Sequence, residues 1–258
     1  MSMQVDGEAT MANEFAIMAL MVLVGINGHL LLPICAQTMY NLTSCMHPFK
    51  GIERIIKLLL NTTLSGYDHS EILVKVLVNC ARYSWLRLRI IEEGGIAQLH
   101  SLVPTLYNRE NKKELALYML IALRSLSESS GCRADMLAKG SVELLSNLLP
   151  IVQEDERCRL IIMKLLHNFV HPPTTISNQS FEVAVQIVTI ITLHAQDDAT
   201  VQYCSACFNL FTKEKVRGMK HLAVLVINSM NKLLQSSDSL TQFFAISSAG
   251  NLFFNNLW

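Results

Sequence analysis

IIEEGGIAQLHSLVPTL (residues 90–106), YNRENKKE (107–114) and LALYMLIALRSLSES (115–129) run on without interruption, and their reading decides the fold. Gly94-Gly95 ends one short helix and permits a sharp change of direction. Ile96, Leu99, Leu102 and Val103 then recur at spacings of three and four, the apolar stripe of a second helix. The charged break Asn108–Glu114 turns the chain. A long third helix follows, with Leu115, Tyr118, Met119, Ala122 and Leu126 on its inner side. The next stretch has the same grammar: MLAKGSVELLSNLLPIV (136–152), a break at Gln153–Glu156, then RCRLIIMKLLHNFV (157–170). Gly140-Ser141 stands 46 residues after Gly94-Gly95. The preceding unit starts at HPFKGIERIIKLLL (47–60), breaks at Ser65–Ser70 and continues as EILVKVLVNCARY (71–83).

Outward from this centre, an asparagine or serine recurs near the end of six apolar stretches: Asn41, Asn79, Ser125, Asn168, Asn209 and Asn251. The gaps are 38, 46, 43, 41 and 42 residues. No stretch alternates with a period of two between hairpin signals, so the period belongs to stacked helical units. The later units are less regular: Phe181–Leu193 with Thr200–Thr212, and Lys215–Leu234 with Ser239–Asn255. Pro172-Pro173 closes the unit before them.

GGIAQLHSLV (94–103) resembles the second-helix opening of the armadillo repeat, and ALYMLIALRSLS (116–127) resembles the ending of its third helix, with Ser125 at the usual asparagine. The resemblance covers about residues 15–258 and is strongest over 47–170. It implies an all-α, right-handed α-solenoid of about six repeats, at 15–46 (partial), 47–84, 85–130, 131–172, 173–213 and 214–258, behind a tail at 1–14. It also implies a concave groove in which Asn41, Asn79, Asn168, Asn209 and Asn251, with Ser125, bond the backbone of an extended partner. The residues alone leave a second reading, in which these amides brace the long helices to one another.

Four positions before the recurring amide, nuclear-import adaptors of this family carry tryptophan. Here the place holds Gln37, Lys75, Ile121, Lys164, Ser205 and Ser247, which argues against that activity. Lys75, Arg82, Arg124, Lys164 and His167 would instead give a mildly basic groove suited to a partner, an extended peptide or a helix, with acidic residues.

The 258 residues are 51% apolar and 16% charged, with 21 basic and 21 acidic side chains. That is enough apolar material for a continuous core, and it lacks the basic excess of a nucleic-acid binder. Seven cysteines, mostly in apolar helical runs, read as reduced core residues of a cytoplasmic protein, with nucleus or cytoskeleton as further settings. Asn41, Asn61 and Asn178 head glycosylation sequons that matter only on the secretory path. FAIMALMVLVGINGHLLLPI (15–34) is long enough to span a bilayer, but Asn27, Gly28, His29 and Pro33 interrupt it, and it reads as two buried helices rather than a membrane segment.

Candidate chemistry is thin. Cys204-Ser205-Ala206-Cys207 and His167/His171 lie on neighbouring long helices, offset too far for one tetrahedral zinc, so no metal is expected. Glu92-Glu93 and Asp197-Asp198 read as residues suited to helix starts. No P-loop, nucleophile elbow or dinucleotide fingerprint occurs. The expectation is a non-enzymatic scaffold without a cofactor. Phe243, Phe244, Phe253, Phe254, Leu257 and Trp258, with no charge after Asp238, mark a terminal interface and the alternative of a self-associating component or a truncated longer array.

Overall fold

The computed structural model describes residues 15, 18, 19, 22, 33–44, 52–61, 70–171, 176–213 and 223–254. Among them every regular element is an α-helix. Residues 33–43 form α1, followed by α2 (Ile52–Asn61), α3 (Ser70–Ala81), α4 (Ser84–Glu92), α5 (Gly95–Leu106) and α6 (Lys112–Ser127). Then come α7 (Ser130–Ala138), α8 (Ser141–Val152), α9 (Glu156–Val170), α10 (Asn178–His194), α11 (Asp198–Lys213), α12 (Ala223–Leu234) and α13 (Ser239–Phe254). The chain divides into two compact units, Met1–Cys132 and Arg133–Trp258, with the division inside α7.

The triplets α4–α5–α6 and α7–α8–α9 are the two units of short helix, bend, second helix and long helix that the sequence announced. Each bend is made by a glycine with positive φ, Gly94 at 92° and Gly140 at 78°, a conformation only glycine adopts without strain. Gly95 has a different reason. A Cβ there would lie 2.7 Å from Ile90 Cγ2 and 2.8 Å from the Ile90 carbonyl oxygen.

In the first unit, α3 packs along α6, α2 packs on α3, and α4 lies against α3, α5 and α6. Ile96, Leu99, Leu102 and Val103 are all buried, as are Leu115, Met119, Ala122 and Leu126. Tyr118, placed on the inner side by its spacing, is instead half-exposed at the edge of α6. Glu92 and Glu93 end α4 rather than start a helix. Arg89 pairs with both, and Lys57 Nζ stands 3.9 Å from Glu93.

In the second unit, α9, α11 and α13 pack in succession through their long axes, backed by α8, α10 and α12. Phe169, Phe208 and Phe211 fill the core, and Phe181 meets Phe211 edge-on at 5.0 Å between ring centroids. Capping marks the helix starts. Asp155 accepts from Cys158 N, Ser177 from Ser180 N, Asp197 from Thr200 N and Asp238 from Thr241 N. At the other end of α10, Lys232 Nζ donates to the carbonyls of Leu193 and Ala195 at 3.0 and 2.7 Å, satisfying acceptors that a helix terminus leaves open.

Phe15, Met18, Ala19 and Val22, the residues described from the first half of the apolar stretch at 15–34, are helical and exposed rather than buried. Their spacing puts them on a single stripe. Of the residues that interrupt the stretch, Asn27, Gly28 and His29 lie outside the described residues and Pro33 stands at the start of α1. Among the described residues no helix is long and apolar enough to cross a membrane.

Candidate functional site

The recurring amides fall near the ends of the long helices, and their partners define what they do. In the first unit Asn79 is only 5% exposed. Its Nδ2 donates across to α1, to Thr43 Oγ1 at 3.3 Å and Ser44 Oγ at 3.2 Å. In the second unit Asn209 on α11 is 6% exposed and its Oδ1 accepts from Ser247 Oγ on α13 at 3.1 Å. Asn251 on α13 donates back to Thr212 Oγ1 at 3.2 Å. A buried amide left without partners would cost stability, and here each finds a hydroxyl one repeat away. These three amides therefore brace adjacent long helices. Asn41 is exposed, and its Oδ1 accepts from Gln37 Nε2 one turn earlier. Asn168 is half-exposed on α9. Ser125 turns its hydroxyl back to the Ile121 carbonyl at 3.0 Å.

The cations separate into two kinds. Lys75, on α3, is held by Glu71 at 2.5 Å and Glu114 at 3.7 Å, with its ammonium 4.5 Å from the centre of the Tyr118 ring. Asn111 Nδ2 also donates to Glu71. Burial works against the Lys75 ammonium, but its bonds to Glu71 and Tyr118 outweigh it and hold the pKa at about 12. The Lys75 bond also holds the Glu71 carboxyl below the usual range. Lys75 is thus charged and neutralised. Arg82, just past α3, and Arg124, on α6, are exposed.

Lys164 occupies the corresponding place on α9 and repeats half of this arrangement. Its ammonium stands 5.5 Å from the ring centre of Tyr203 on α11. Among the described residues it has no carboxylate within ion-pair distance. His167, one turn further on, meets Tyr203 edge-on at 5.7 Å and His171 at 5.8 Å. Burial, then His171 and Arg133, hold the His167 pKa below its ordinary value, so the ring is neutral at pH 7. The second unit therefore presents a face of one ammonium, one aromatic ring and a titratable imidazole, with the half-exposed Asn168 beside it. Tyr203 escaped the sequence reading, which placed Tyr118 in the core and not beside a lysine. The signal was available, since each lies about one repeat beyond its lysine.

Cys204 and Cys207 are buried between α11 and its neighbours. Burial pushes the Cys204 thiol up to about 12 and Cys207 well above its ordinary value, and Cys207 Sγ points at the Met163 carbonyl, 3.8 Å away. His167 lies instead against Tyr203, so the two motifs do not converge. Among the described residues no three His, Cys, Asp or Glu side chains are grouped to hold a metal ion.

At the end of the second unit, Phe243 and Phe253 on α13 are exposed and Leu252 is buried. The side chain of Phe254, and Leu257 and Trp258, lie outside the described residues.

The architecture, with its glycine bends and long-helix amides, is an all-α array of armadillo-like repeats. A crystal structure of an engineered protein from the Northeast Structural Genomics Consortium superposes with a TM-score of 0.63, over 93% of this chain and 97% of that one, at 17% identity. A second engineered protein from the same consortium gives 0.62 over 92% and 98% at 14% identity. The designed armadillo repeat protein YIII(Dq)4CqI gives 0.59 over 84% and 93% at 13% identity. At such identities the likeness establishes the fold. No protein-family model and no curated protein sequence matches the chain.

Proposed function

We propose that this chain is a non-enzymatic protein-binding scaffold that holds an acidic, extended segment of a partner on the α9–α11 face of its second unit. The observation that carries the reading is the contrast between two lysines in the same register. Lys75 is neutralised by Glu71 and Glu114, whereas Lys164 stands over Tyr203 with no carboxylate in ion-pair distance among the described residues. A lysine ammonium on an aromatic ring offers charge and a flat apolar surface together. Binding fits better than catalysis because the polar groups present are amides, cations and rings, while the cysteines are held as thiols by burial. Those reduced, buried thiols fit a cytoplasmic or nuclear setting.

The test is a peptide array graded in Asp and Glu content, probed with the intact chain. Retention is expected to rise with acidic content and fall with added salt. It is expected to drop at least tenfold for Lys164→Glu and to persist for Arg124→Glu. Equal retention of acidic and basic peptides, or no effect of Lys164→Glu, contradicts the reading.

A further inference from the structure

The final helix of the second unit is amphipathic in an inverted sense. The side of α13 that packs on α11 is lined by small residues, with Thr241, Ala245 and Ser248 fully buried and Leu252 nearly so. The opposite side carries the bulk: Leu240 is 43% exposed, Phe243 63%, Ile246 62% and Phe253 70%. Between Ile246 and Phe253 the bulk is interrupted at Gly250, where an added Cβ would meet nothing within 4 Å. The helix has no Asp, Glu, Lys or Arg from Ser239 to Phe254. A helix apolar on all sides is normally a covered helix.

We infer that the outer face of α13 pairs with the same face of a second copy of this chain, antiparallel, about a two-fold axis passing between Ile246 and Ser247. The sequence of bulk and gap complements itself in that one register. Phe243 of each copy enters the notch at Gly250 of the other, and the two Ile246 side chains flank the axis. In this register the Phe243 ring of each copy meets a gap and not another ring. Because α13 is uncharged, bringing two copies together sets no like charges face to face.

Area fixes the strength expected. At roughly 200 Å² for a large side chain, these exposures amount to on the order of 450 Å² per copy. That is the scale of an apolar patch that marks an interaction site, about 300–600 Å². Two such faces bury about 900 Å², short of the ~1,200 Å² of stable complexes, so the pairing is weak and reversible.

Sedimentation of the intact chain across about a hundredfold concentration range around tens of micromolar tests it. The chain is expected to shift from monomer to dimer. Gly250→Leu fills the notch in open space and improves helix propensity, so the fold is kept while the dimer weakens at least tenfold. Phe243→Lys weakens it likewise. The register is read by cross-linking. The two copies' residues 246 lie within about 2 Å of each other along the axis, and their residues 253 about 20 Å apart. Under mild oxidation Ile246→Cys is therefore expected to give a disulfide-linked dimer above the parent's background, and Phe253→Cys is not. A monomer throughout, a dimer that survives Gly250→Leu, or equal cross-linking at both positions overturns the inference.

Discussion

Asn251 on α13 donates its amide to the Thr212 hydroxyl on α11, 3.2 Å away and 39 residues earlier in the chain. Asn79 makes the same kind of bond to Thr43 in the first unit. The amides of Asn79, Asn209 and Asn251 thus tie neighbouring long helices within each unit together. Removing a buried amide from such a brace costs about 1–3 kcal/mol. Asn79→Ala and Asn209→Ala are expected to lower the denaturation midpoint accordingly. Asn41→Ala, at an exposed position, should stay within about 0.5 kcal/mol. Equal effects at all three positions would show that the braces do not carry stability.

The glycines give a ranked series in urea denaturation. Gly94→Ala and Gly140→Ala place a side chain in the left-handed region and cost about 1–2 kcal/mol each. Gly95→Ala drives a Cβ into the Ile90 backbone and costs about 1–3 kcal/mol. Gly131→Ala, in open space within α7, gains about 0.5–1 kcal/mol. A gain at Gly94 or Gly140 would contradict the bend geometry, and a loss at Gly131 would contradict its open surroundings.

The glycine bends, the second-helix stripe and most of the long-helix core were legible in the sequence because each is a local pattern of three- and four-residue spacing. The fate of Lys75 was not. Its neutralising Glu114 and supporting Tyr118 sit on the next long helix, where local spacing gives no account of what faces them. The amides had two open readings for the same reason, since Thr43, Thr212 and Ser247 lie 35–40 residues from the asparagines they serve. Thr43 belongs to the NLT triplet that reads as a glycosylation sequon, yet its hydroxyl is buried and receives the Asn79 amide. The inverted amphipathicity of α13 was half visible. Its aromatics and lack of charge stood out, but which side they faced depended on the small residues that α11 selects.

The His167 pKa lies below its unfolded value, through burial first and then through His171 and Arg133. The folded protein therefore binds fewer protons than the unfolded chain between the two values. Stability from this group is fully present above about pH 6.5 and is lost as pH falls through the lower folded value. Denaturation between pH 7.5 and about 5.5 should show a fall in stability that is smaller in His167→Gln. An identical slope in the two proteins would remove His167 as its source.

Burial pushes the thiols of Cys80, Cys158 and Cys204 up to about 12. Because the thiolate is the reactive form, alkylation of the native chain at about pH 8 should leave these three unmodified, and unfolding should expose them together. Rapid labelling of Cys204 in the native chain, read by mass spectrometry, would contradict its place in the core.

The most direct measurement of the proposed role is a fluorescence anisotropy titration of a labelled Glu-rich peptide against the intact chain at two pH values bracketing the His167 transition. With Lys164 fixed as a cation over Tyr203 and His167 gaining charge as pH falls, binding is expected to be several-fold tighter on the acidic side. It should be lost with Lys164→Glu and become pH-independent with His167→Gln. Binding that is indifferent to Lys164, or that weakens on acidification, would contradict the assignment of recognition to this face.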